Sequence, residues 1–511
     1  MAGIAGGYRG AVPEDIHLML DVMSHRGPVW RGVVERNSAL LGQNYAAADI
    51  TGPSDAGKTV DQARLGNLGW GDDGPAVLYD GQIGNGPELA RQHGVALGPR
   101  RDECLLLQLY HRYGVDLFRY LDDAMFSMAI CDGDRLLVAR DLLGIKTLFY
   151  GRKNGTLYFG SELKSILAVA DEVHEFPPGH FMDSEGKLTC FARLTAPAQP
   201  VEDSPEQAAG TIRDIVWRSV CNRVDFAPVT AGLLSGGLDS SVVCCLAMRR
   251  LKEQSGPQAR LKTFAVGLGE SEDIRQARSV AGHLGTDHHE LIVDFSQVIR
   301  ALPAVIGHLE SFDPSLVRSS VANYLISQYA RQHGIEQLLS GEGGDEVFCG
   351  YLYLKQFPPE QLTDEQLKCL GYLHSNAALR LDRMNQCHSV RAVTPLISGE
   401  LLNYALRLPA GYKLKPDGDG KVEKWIFRKA YEELLPAAIV WRVKQEFSQG
   451  SGAADVLPAY FDALVDDGEF ADAQREHPQV RSKEESYYFR LFTERFGTGS
   501  AVATVGQWVT L

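Results

Sequence analysis

The stretch Val-Thr-Ala-Gly-Leu-Leu-Ser-Gly-Gly-Leu-Asp-Ser-Ser at residues 229–241 decides how the carboxyl half of the chain folds. Its first part, Val229–Leu234, predicts a buried strand, and the pattern after Ser240 predicts a helix. A glycine pair between them permits a sharp turn and a close approach to a ligand, and free N–H groups at a helix start attract anions. Open α/β sheets bind ligands at this edge. The candidate anion site consists of Ser235, Gly236, Gly237, Ser240 and Ser241.

One residue of this turn carries a negative charge. Asp239 would repel a phosphate unless Mg²⁺ lay between them. The turn is not a Walker-type loop, because it lacks the lysine of that motif. A tight turn with serine caps and no ligand is the structural alternative.

Helices and strands are predicted to alternate on both sides of this turn. Such alternation is typical of a parallel sheet flanked by helices, and the chain from about Phe295 onward is mainly helical. The predicted helices are 208–220, 240–251 and 273–284. The predicted strands are 229–234, 261–266, 290–293 and 336–339.

Residues 1–192 show a different pattern, in which short apolar runs are separated by Asp-Gly, Gly-Asp and Asn-Gly pairs. Such pairs are typical of tight hairpins and predict an antiparallel α+β domain. The predicted strands are 76–79, 125–131, 135–139 and 156–159, and the predicted helices are 104–113 and 163–170. The proline-containing stretch 193–207 reads as a linker. The predicted domains are therefore 1–192 and 208–511.

Composition narrows the class of protein. The 511 residues include 51 basic and 65 acidic side chains, a net charge of −14 that argues against a nucleic-acid partner. The nine cysteines form no C-x-x-C pair, which is typical of reduced thiols in a cytoplasmic protein. We find neither a secretory signal nor an apolar run long enough to span a membrane, so a cytoplasmic location and no membrane partner are expected.

Several motifs resemble those of known enzymes. The turn at 235–241 resembles the pyrophosphate loop of the N-type ATP pyrophosphatases. Four further stretches resemble motifs of the asparagine synthetase family, in that family's order: Phe264–Leu268, His283–Glu290, Ser340–Tyr351 and Trp441–Gly450. The resemblance implies an amino-terminal Ntn-hydrolase-like class II glutaminase domain of α+β type. It also implies a carboxyl-terminal α/β PP-loop ATP-pyrophosphatase domain, of the adenine nucleotide alpha hydrolase-like type.

The resemblance also implies a reaction: ATP and Mg²⁺ adenylate a carboxylate, pyrophosphate leaves, and an amine attacks the acyl-adenylate. The turn residues would hold pyrophosphate, Asp239 and Asp345 would bind Mg²⁺, and Val266, Ser340 and Gly341 would line the nucleotide pocket. Glu342 would accept a proton from the amine, and Lys444 would stabilise charge on the phosphates. Adenylation needs such cations around the departing charge.

The amino-terminal half departs from the glutaminase that it resembles. The family's nucleophile is a cysteine at the position of Ala2, which has no nucleophilic atom. The family's Asn-Gly-Glu is replaced here by Asp80-Gly81-Gln82. No arginine occurs at 43–50 to bind the carboxylate of glutamine. Asp102 remains and would hold the amine of glutamine. We therefore expect no glutamine hydrolysis, and a domain that supports the synthetase domain structurally.

The region expected to bind the acyl substrate also departs. Ser315, Arg318 and Arg380 are candidate substrate contacts, but 390–398 lacks the charges that asparagine synthetases carry there. A carboxylate other than aspartate is therefore favoured, with ammonia or another amine as the second substrate. Structural drift of 390–398 is the alternative.

Other functions stay open. An ammonia-dependent asparagine synthetase, a beta-lactam synthetase-like or natural-product amide synthetase and an inactive binding scaffold are alternatives. A tRNA-thiolating PP-loop enzyme is disfavoured by the cysteine spacing and the acidity. Related synthetases often dimerise, and by analogy this chain would form a homodimer.

Overall fold

The computed structural model describes residues 2–46, 74–96, 101–418, 420–443 and 453–507. It divides into two compact units. The first unit runs to residue 194 and includes 386–389 and 496–504, and the second unit contains 195–385, 390–495 and the residues after 504. Among the described residues no helix is long and apolar enough to cross a membrane.

The first unit contains two antiparallel sheets. Its strands are β1 Ala2–Tyr8, β2 Trp30–Arg36, β3 Ala39–Tyr45, β4 Ala76–Ile83, β5 Ala124–Asp132, β6 Arg135–Arg140, β7 Phe149–Lys153, β8 Thr156–Gly160, β9 His174–Glu175, β10 His180–Met182 and β11 Leu188–Cys190. Its helices are α1 Pro13–Val22, α2 Gly86–His93, α3 Arg101–Tyr113 and α4 Leu163–Leu167. The strand orders are β2-β3-β1-β8-β7-β9 and β11-β10-β6-β5-β4.

The two sheets pack face to face. Buried side chains of one sheet, such as Ile4 and Phe159, share a core with Leu78 and Val138 of the other. Helix α1 packs on β1 and β3, and α3 packs on β4, so each sheet is covered by a helix on its outer face. This αββα arrangement confirms the predicted α+β fold.

Sequence reasoning missed β1, β2 and β3. Strand β1 contains three glycines, and glycine has a low propensity for strands. A prediction from propensity alone therefore does not detect this strand. Packing requires glycine at position 6, because a Cβ there would lie 2.1 Å from the Phe159 ring.

The second unit is built on a parallel sheet. Its strands are β12 Thr230–Leu233, β13 Lys262–Leu268, β14 Asp287–Val293, β15 Gln337–Leu339, β16 Arg391–Val393, β17 Leu414–Asp417 and β18 Gly420–Glu423. Its helices are α5 Pro205–Arg223, α6 Leu238–Ser255, α7 Glu272–Leu284, α8 Phe295–Leu309, α9 Pro314–Gln332, α10 Gly344–Phe348, α11 Leu362–Tyr372, α12 Ala377–Gln386, α13 Gly399–Arg407, α14 Ala410–Lys413, α15 Trp425–Tyr431, α16 Ala437–Val440, α17 Ala453–Leu464, α18 Asp467–Glu476 and α19 Lys483–Phe496.

The order β14-β13-β12-β15-β16 confirms the predicted parallel sheet. One helix start and one strand are among the differences from expectation. Helix α5 begins at Pro205 inside the predicted linker, because Ser204 and Gln207 form a capping box. Strand β16 was not predicted, since three residues are too short to show a period.

Strand β16 changes how the stretch 390–398 is interpreted. Val393 is buried in the sheet opposite Leu339, and the Ser398 hydroxyl accepts the N–H of Leu401 at the start of α13. These are structural contacts. They favour the alternative that 390–398 is part of the framework of the fold.

A buried lysine supports the short helix α10. Lys413, at 1% exposure, donates to Gln366 Oε1 at 2.6 Å, and Gln366 Nε2 donates to Val347 O of α10 at 2.6 Å. Burial lowers the pKa of Lys413 to about 8.

This lowered pKa predicts a pH-dependent stability. Between about pH 8 and the ordinary lysine pKa near ~10.4, the unfolded chain binds the proton that the folded chain has lost, so Lys413 makes the unfolding free energy rise with pH. Lys413→Met should remove ~1–3 kcal/mol of that rise. Denaturant titrations of both proteins from pH 7 to 10.5 measure it. The lost bond to Gln366 adds a pH-independent offset, so parallel curves would contradict the assignment.

Candidate active site

The turn between β12 and α6 is held by its own hydroxyls. Ser235 Oγ accepts the N–H of Gly237 at 3.3 Å and lies 3.1 Å from Ser240 Oγ. Ser241 Oγ donates to Gly237 O at 2.7 Å. Gly236 has φ +72°, and a Cβ there would lie 2.5 Å from the backbone N of Ala277. Position 236 therefore requires glycine.

A second glycine-rich loop, 340–344, closes on this turn. A Cβ on Gly341 would lie 2.5 Å from Ser240 N, and one on Gly344 would lie 2.6 Å from Asp239 Cγ. Glycine at both positions lets the two backbones meet without side chains between them. The contact places Asp345 beside Asp239.

Most of the predicted site residues line one cavity of about 210 Å³. The lining includes Ser235, Gly237, Asp239, Ser240, Val266, Ser315, Ser340, Gly341, Glu342, Asp345 and Arg380. Gly236 and Ser241 are absent from the lining and shape the turn from behind. Lys444 lies outside the described residues.

A cation that sequence reasoning missed joins the two aspartates. Lys424 Nζ is bonded to Asp239 Oδ2 and lies 2.7 Å from Asp345 Oδ1, and its side chain is 3% exposed. Lys424 has φ +51° at the start of α15. In the sequence it resembles any surface lysine, because its partners are distant along the chain.

The chemistry of this pair of carboxylates fits Mg²⁺. Two carboxylates face one ammonium group, and the buried Asp239 Oδ1 has no hydrogen-bond partner among the residues that the structure describes. The described residues hold no cluster of three or more His, Cys, Asp or Glu side chains that could bind a metal. Mg²⁺ typically takes one or two carboxylates and completes its shell with phosphate and water oxygens.

Next to these aspartates lies a second charged pair. Glu342 Oε1 is bonded to Arg380 Nη2, and both side chains line the cavity. Behind them, burial and the charge of Asp345 raise the pKa of Glu346 to about 7. Tyr351 donates its hydroxyl proton to Glu346 Oε1 at 2.7 Å. Glu346 therefore keeps its proton up to a higher pH than an ordinary glutamate does.

Two arginines that sequence reasoning missed anchor the segment before Lys444. Arg442 Nη2 lies 3.1 Å from Asp273 Oδ1, and Arg428 Nη1 donates to Arg442 O at 3.0 Å. Arg428 Nε also donates to Glu423 O at 2.8 Å. Residues 442 and 443 line the cavity, so these contacts hold the chain at its rim.

Arg318 is not brought to the cavity. Its Nε donates to Glu484 Oε1 at 3.0 Å and its Nη2 to Glu484 Oε2 at 2.5 Å, and Tyr488 also donates to Glu484. Ser315, one helical turn earlier, does line the cavity. The predicted contact of Arg318 with the substrate therefore has no support in this arrangement.

The first unit holds a buried ionic cluster at Ala2. Ala2 N lies 3.3 Å from Asp80 Oδ1. Arg26 lies between two carboxylates, with its Nη2 2.9 Å from Asp80 Oδ2 and its Nη1 3.0 Å from Glu162 Oε1. Lys146 Nζ lies 3.5 Å from Asp80. Asp80, which stands where the resemblance expects asparagine, is therefore engaged by two cations.

Polar side chains near this cluster are engaged in structural bonds. Gln43 exchanges two hydrogen bonds with the backbone of Tyr79, and Asn44 donates to Leu20 O. Asp102 accepts the N–H of Ile83 at 2.9 Å and the Tyr79 hydroxyl at 3.3 Å. Residues 47–50, also considered for the missing arginine, lie outside the described residues.

Comparison with known proteins agrees with both units. Residues 211–368 and 355–496 match the asparagine synthase family, and residues 1–183 match the glutamine amidotransferase domain. The glutamine-hydrolysing asparagine synthetase B of Escherichia coli (strain K12) is 32% identical over 510 residues, covering 95% of this chain and 88% of that protein. A probable asparagine synthetase of Schizosaccharomyces pombe is 33% identical over 538 residues, covering 97% and 92%.

A parallel-sheet unit with a phosphate-type loop, preceded by an amidotransferase-type unit, defines a two-domain ATP-dependent carbon–nitrogen ligase. The chain belongs to the asparagine synthetase family.

The lysine bridge gives a prediction for this site. Lys424→Met leaves Asp239 and Asp345 facing each other without a cation, and removing one partner of a buried pair costs about 3–5 kcal/mol. Mg²⁺ should restore more stability to this variant than to the wild type, because it supplies the missing charge. Denaturant unfolding with and without Mg²⁺ measures both effects.

Lys421→Met is the matched control. Lys421 lies three residues earlier and, among the described residues, donates to a backbone oxygen, that of Phe357. Equal losses in both variants, or an equal response to Mg²⁺, would show that Lys424 does not neutralise the aspartates.

Proposed function

We propose that this protein is an AMP-forming amide-bond synthetase that activates a carboxylate with ATP and does not use glutamine. The observation that carries the proposal is the meeting of the serine–glycine turn with Asp239, Asp345 and Lys424 at one cavity. An anion loop, a pair of metal-type carboxylates and an acid–base pair are the groups that adenylation and aminolysis require.

The turn at 235–241 would hold the β- and γ-phosphates. The turn leads into the start of α6, and Ser235, Gly237 and Ser240 line the cavity. Val266, Ser340 and Gly341 would contact the nucleoside. A backbone cradle of this kind attracts phosphate without a surplus of basic side chains, which suits a chain of net charge −14.

Asp239 and Asp345 would hold Mg²⁺, which spreads the charge that develops as pyrophosphate leaves. Lys424 keeps the two aspartates together before the metal binds, so the site is organised in advance. Lys444 follows the segment that Arg428 and Arg442 anchor, and we assign it to the charge on the phosphates.

Glu342 and Arg380 would act in the second step. The acyl-adenylate loses AMP when an amine attacks its carbonyl carbon, and the attacking nitrogen must lose a proton. Glu342 faces the cavity and can accept that proton once Arg380 turns to a substrate carboxylate.

The nitrogen would come from ammonia or another amine. Ala2 cannot form a thioester, and Asp80 is engaged by Arg26 and Lys146 where a glutaminase would bind an oxyanion. A carboxylate at that position would repel an oxyanion. These features support a degenerate glutaminase domain.

The acyl substrate is aspartate or a different carboxylate. The names of the relatives favour aspartate. Arg318 was expected to be a cation beside the substrate in addition to Arg380, but it is paired with Glu484. This pairing favours an acid that binds without a second cation. A beta-lactam synthetase-like or natural-product amide synthetase would activate such an acid. A binding scaffold would activate no acid.

Pyrophosphate release tests the proposal. With ATP, Mg²⁺ and ammonia, the purified protein should release pyrophosphate when one member of a panel of carboxylates, including aspartate, is added. A coupled pyrophosphate assay measures it, and AMP should form in equal amount. No release with any carboxylate, together with no ATP binding, would leave the scaffold as the explanation.

Lys444→Ala is the variant for this assay. Loss of one preorganised charge at the transition state should lower turnover by at least about 100-fold with the fold intact. Lys252→Ala, at an exposed position of α6, is the control. Retained turnover in Lys444→Ala would exclude the assigned role.

Glutamine should not serve as a nitrogen donor. We expect no glutamate above background when glutamine replaces ammonia, because the first unit has no nucleophile at Ala2. Ala2→Cys alone should also stay inactive, since Asp80 keeps its charge. Glutamate production by the wild type, measured by chromatography, would overturn this part of the proposal.

A further inference from the structure

One polar side chain in the cavity has no role in the reaction described above. Asn323 on α9 lines the cavity and is 4% exposed. Its Nδ2 is buried and has no hydrogen-bond partner among the residues that the structure describes. A buried amide donor without a partner is costly, so a ligand that supplies an acceptor here is favoured over an apolar group.

Asn323 belongs to one face of α9. Ser315, Ser319, Asn323 and Ile326 all line the cavity, at spacings of four, four and three residues. Ser319 Oγ donates to Leu316 O at 3.0 Å, so its proton is used within the helix. On this face Asn323 therefore keeps a donor for a ligand.

The position of Asn323 along the sheet follows from an aromatic contact. Helix α9 packs on β13, and the Tyr329 ring lies 5.9 Å from the Phe264 ring. Asn323 is six residues before Tyr329, about 9 Å along the helix. Val266 is two residues after Phe264, about 6.6 Å along the strand, which runs the opposite way. Asn323 and Val266 therefore lie at nearly the same level of the cavity.

The walls at this level suit a flat ring. Phe264 and Val266 of β13 lie on one side and Ile326 of α9 on the other, and all three line the cavity. An apolar slot with a single well-placed polar group is typical of sites for aromatic heterocycles. In the proposed function the heterocycle at Val266 is the base of ATP.

We propose that Asn323 reads the base of the bound nucleotide and selects adenine over guanine. Its Nδ2 donates to a ring nitrogen of adenine, and its Oδ1 accepts a proton of the 6-amino group. Asparagine pairs with adenine in this two-bond geometry, whereas guanine presents an oxygen acceptor in place of the amino group. The inference rests on the proposed use of ATP, and it assigns the specificity for the base to one side chain.

Asn323→Leu tests this assignment because leucine has a similar size and no polar atoms. Calorimetric titration should show that the variant binds ATP about 10- to 100-fold more weakly, with little change for GTP. Its affinity for pyrophosphate should be unchanged, since the turn at 235–241 is intact. Circular dichroism and thermal unfolding verify that the variant is folded.

Ser320→Ala is the matched control. Ser320, like Ser327, is a fully buried residue of α9 whose hydroxyl lacks a partner among the described residues, and it does not line the cavity. It should leave the ATP and GTP affinities as in the wild type. Equal weakening of ATP in both variants would show a general effect on α9 and would overturn the proposal.

A nucleotide that lacks the 6-amino group separates the base contact from other effects. Purine riboside triphosphate should bind the wild type more weakly than ATP, and Asn323→Leu should no longer distinguish the two. If Asn323→Leu keeps the wild-type ATP to GTP ratio and instead raises the KM of the carboxylate, Asn323 reads the acyl substrate and the proposal is wrong. A wild type that binds no ATP would overturn the proposed function together with this inference.

Discussion

The second unit depends on the close contact between two glycine-containing loops. Gly341 and Gly344 bring the backbone after β15 against Asp239 and Ser240, and any side chain there would overlap with the turn. The contact places two aspartates side by side, which would repel each other. Lys424 lies between them and offsets that repulsion. The ligand cavity, the metal-type carboxylates and the start of α15 are therefore coupled through one ammonium group.

Basic side chains of the cavity are paired with carboxylates, and Lys424 is shared by two of them. Arg380 is bonded to Glu342, and Arg442 is bonded to Asp273. The described residues of the cavity therefore show no surplus of basic side chains. Under the proposed function, phosphate would be bound by backbone N–H groups, hydroxyls and a metal held by the carboxylates. Such a site would allow a protein of negative net charge to bind a triphosphate.

The first unit is folded around a core that includes the alanine at position 2. Besides Ala2, this core of the αββα layers contains Ile4 and Phe159. At Ala2, Asp80 and Arg26 form a buried ion pair. Arg26 also pairs with Glu162, and Asp80 also lies near Lys146. Removing one of these side chains would leave a buried charge with fewer partners, so the cluster is sensitive to single substitutions.

Local bonds explain what was predictable. The turn at 235–241 is visible in the sequence because its hydroxyl bonds span at most five residues, and the alternation around it shows the parallel sheet. Glu342 and Arg380 were found singly through motifs, but their pairing was not. Strands β1 and β16 were not predicted. The glycines of β1 and the three-residue length of β16 leave no clear alternation of apolar and polar residues in the sequence.

Long-range contacts were decided only by the folded chain. Lys424 meets Asp239 from 185 residues away, and Arg318 is drawn to Glu484 from 166 residues away. Neither pairing leaves a periodic or local signal in the chain. Motif order was enough to establish the family and the chemistry class. The partners of each charge depend on which surfaces the tertiary structure buries together. The same holds for the Asn323 amide, which has no partner among the described residues.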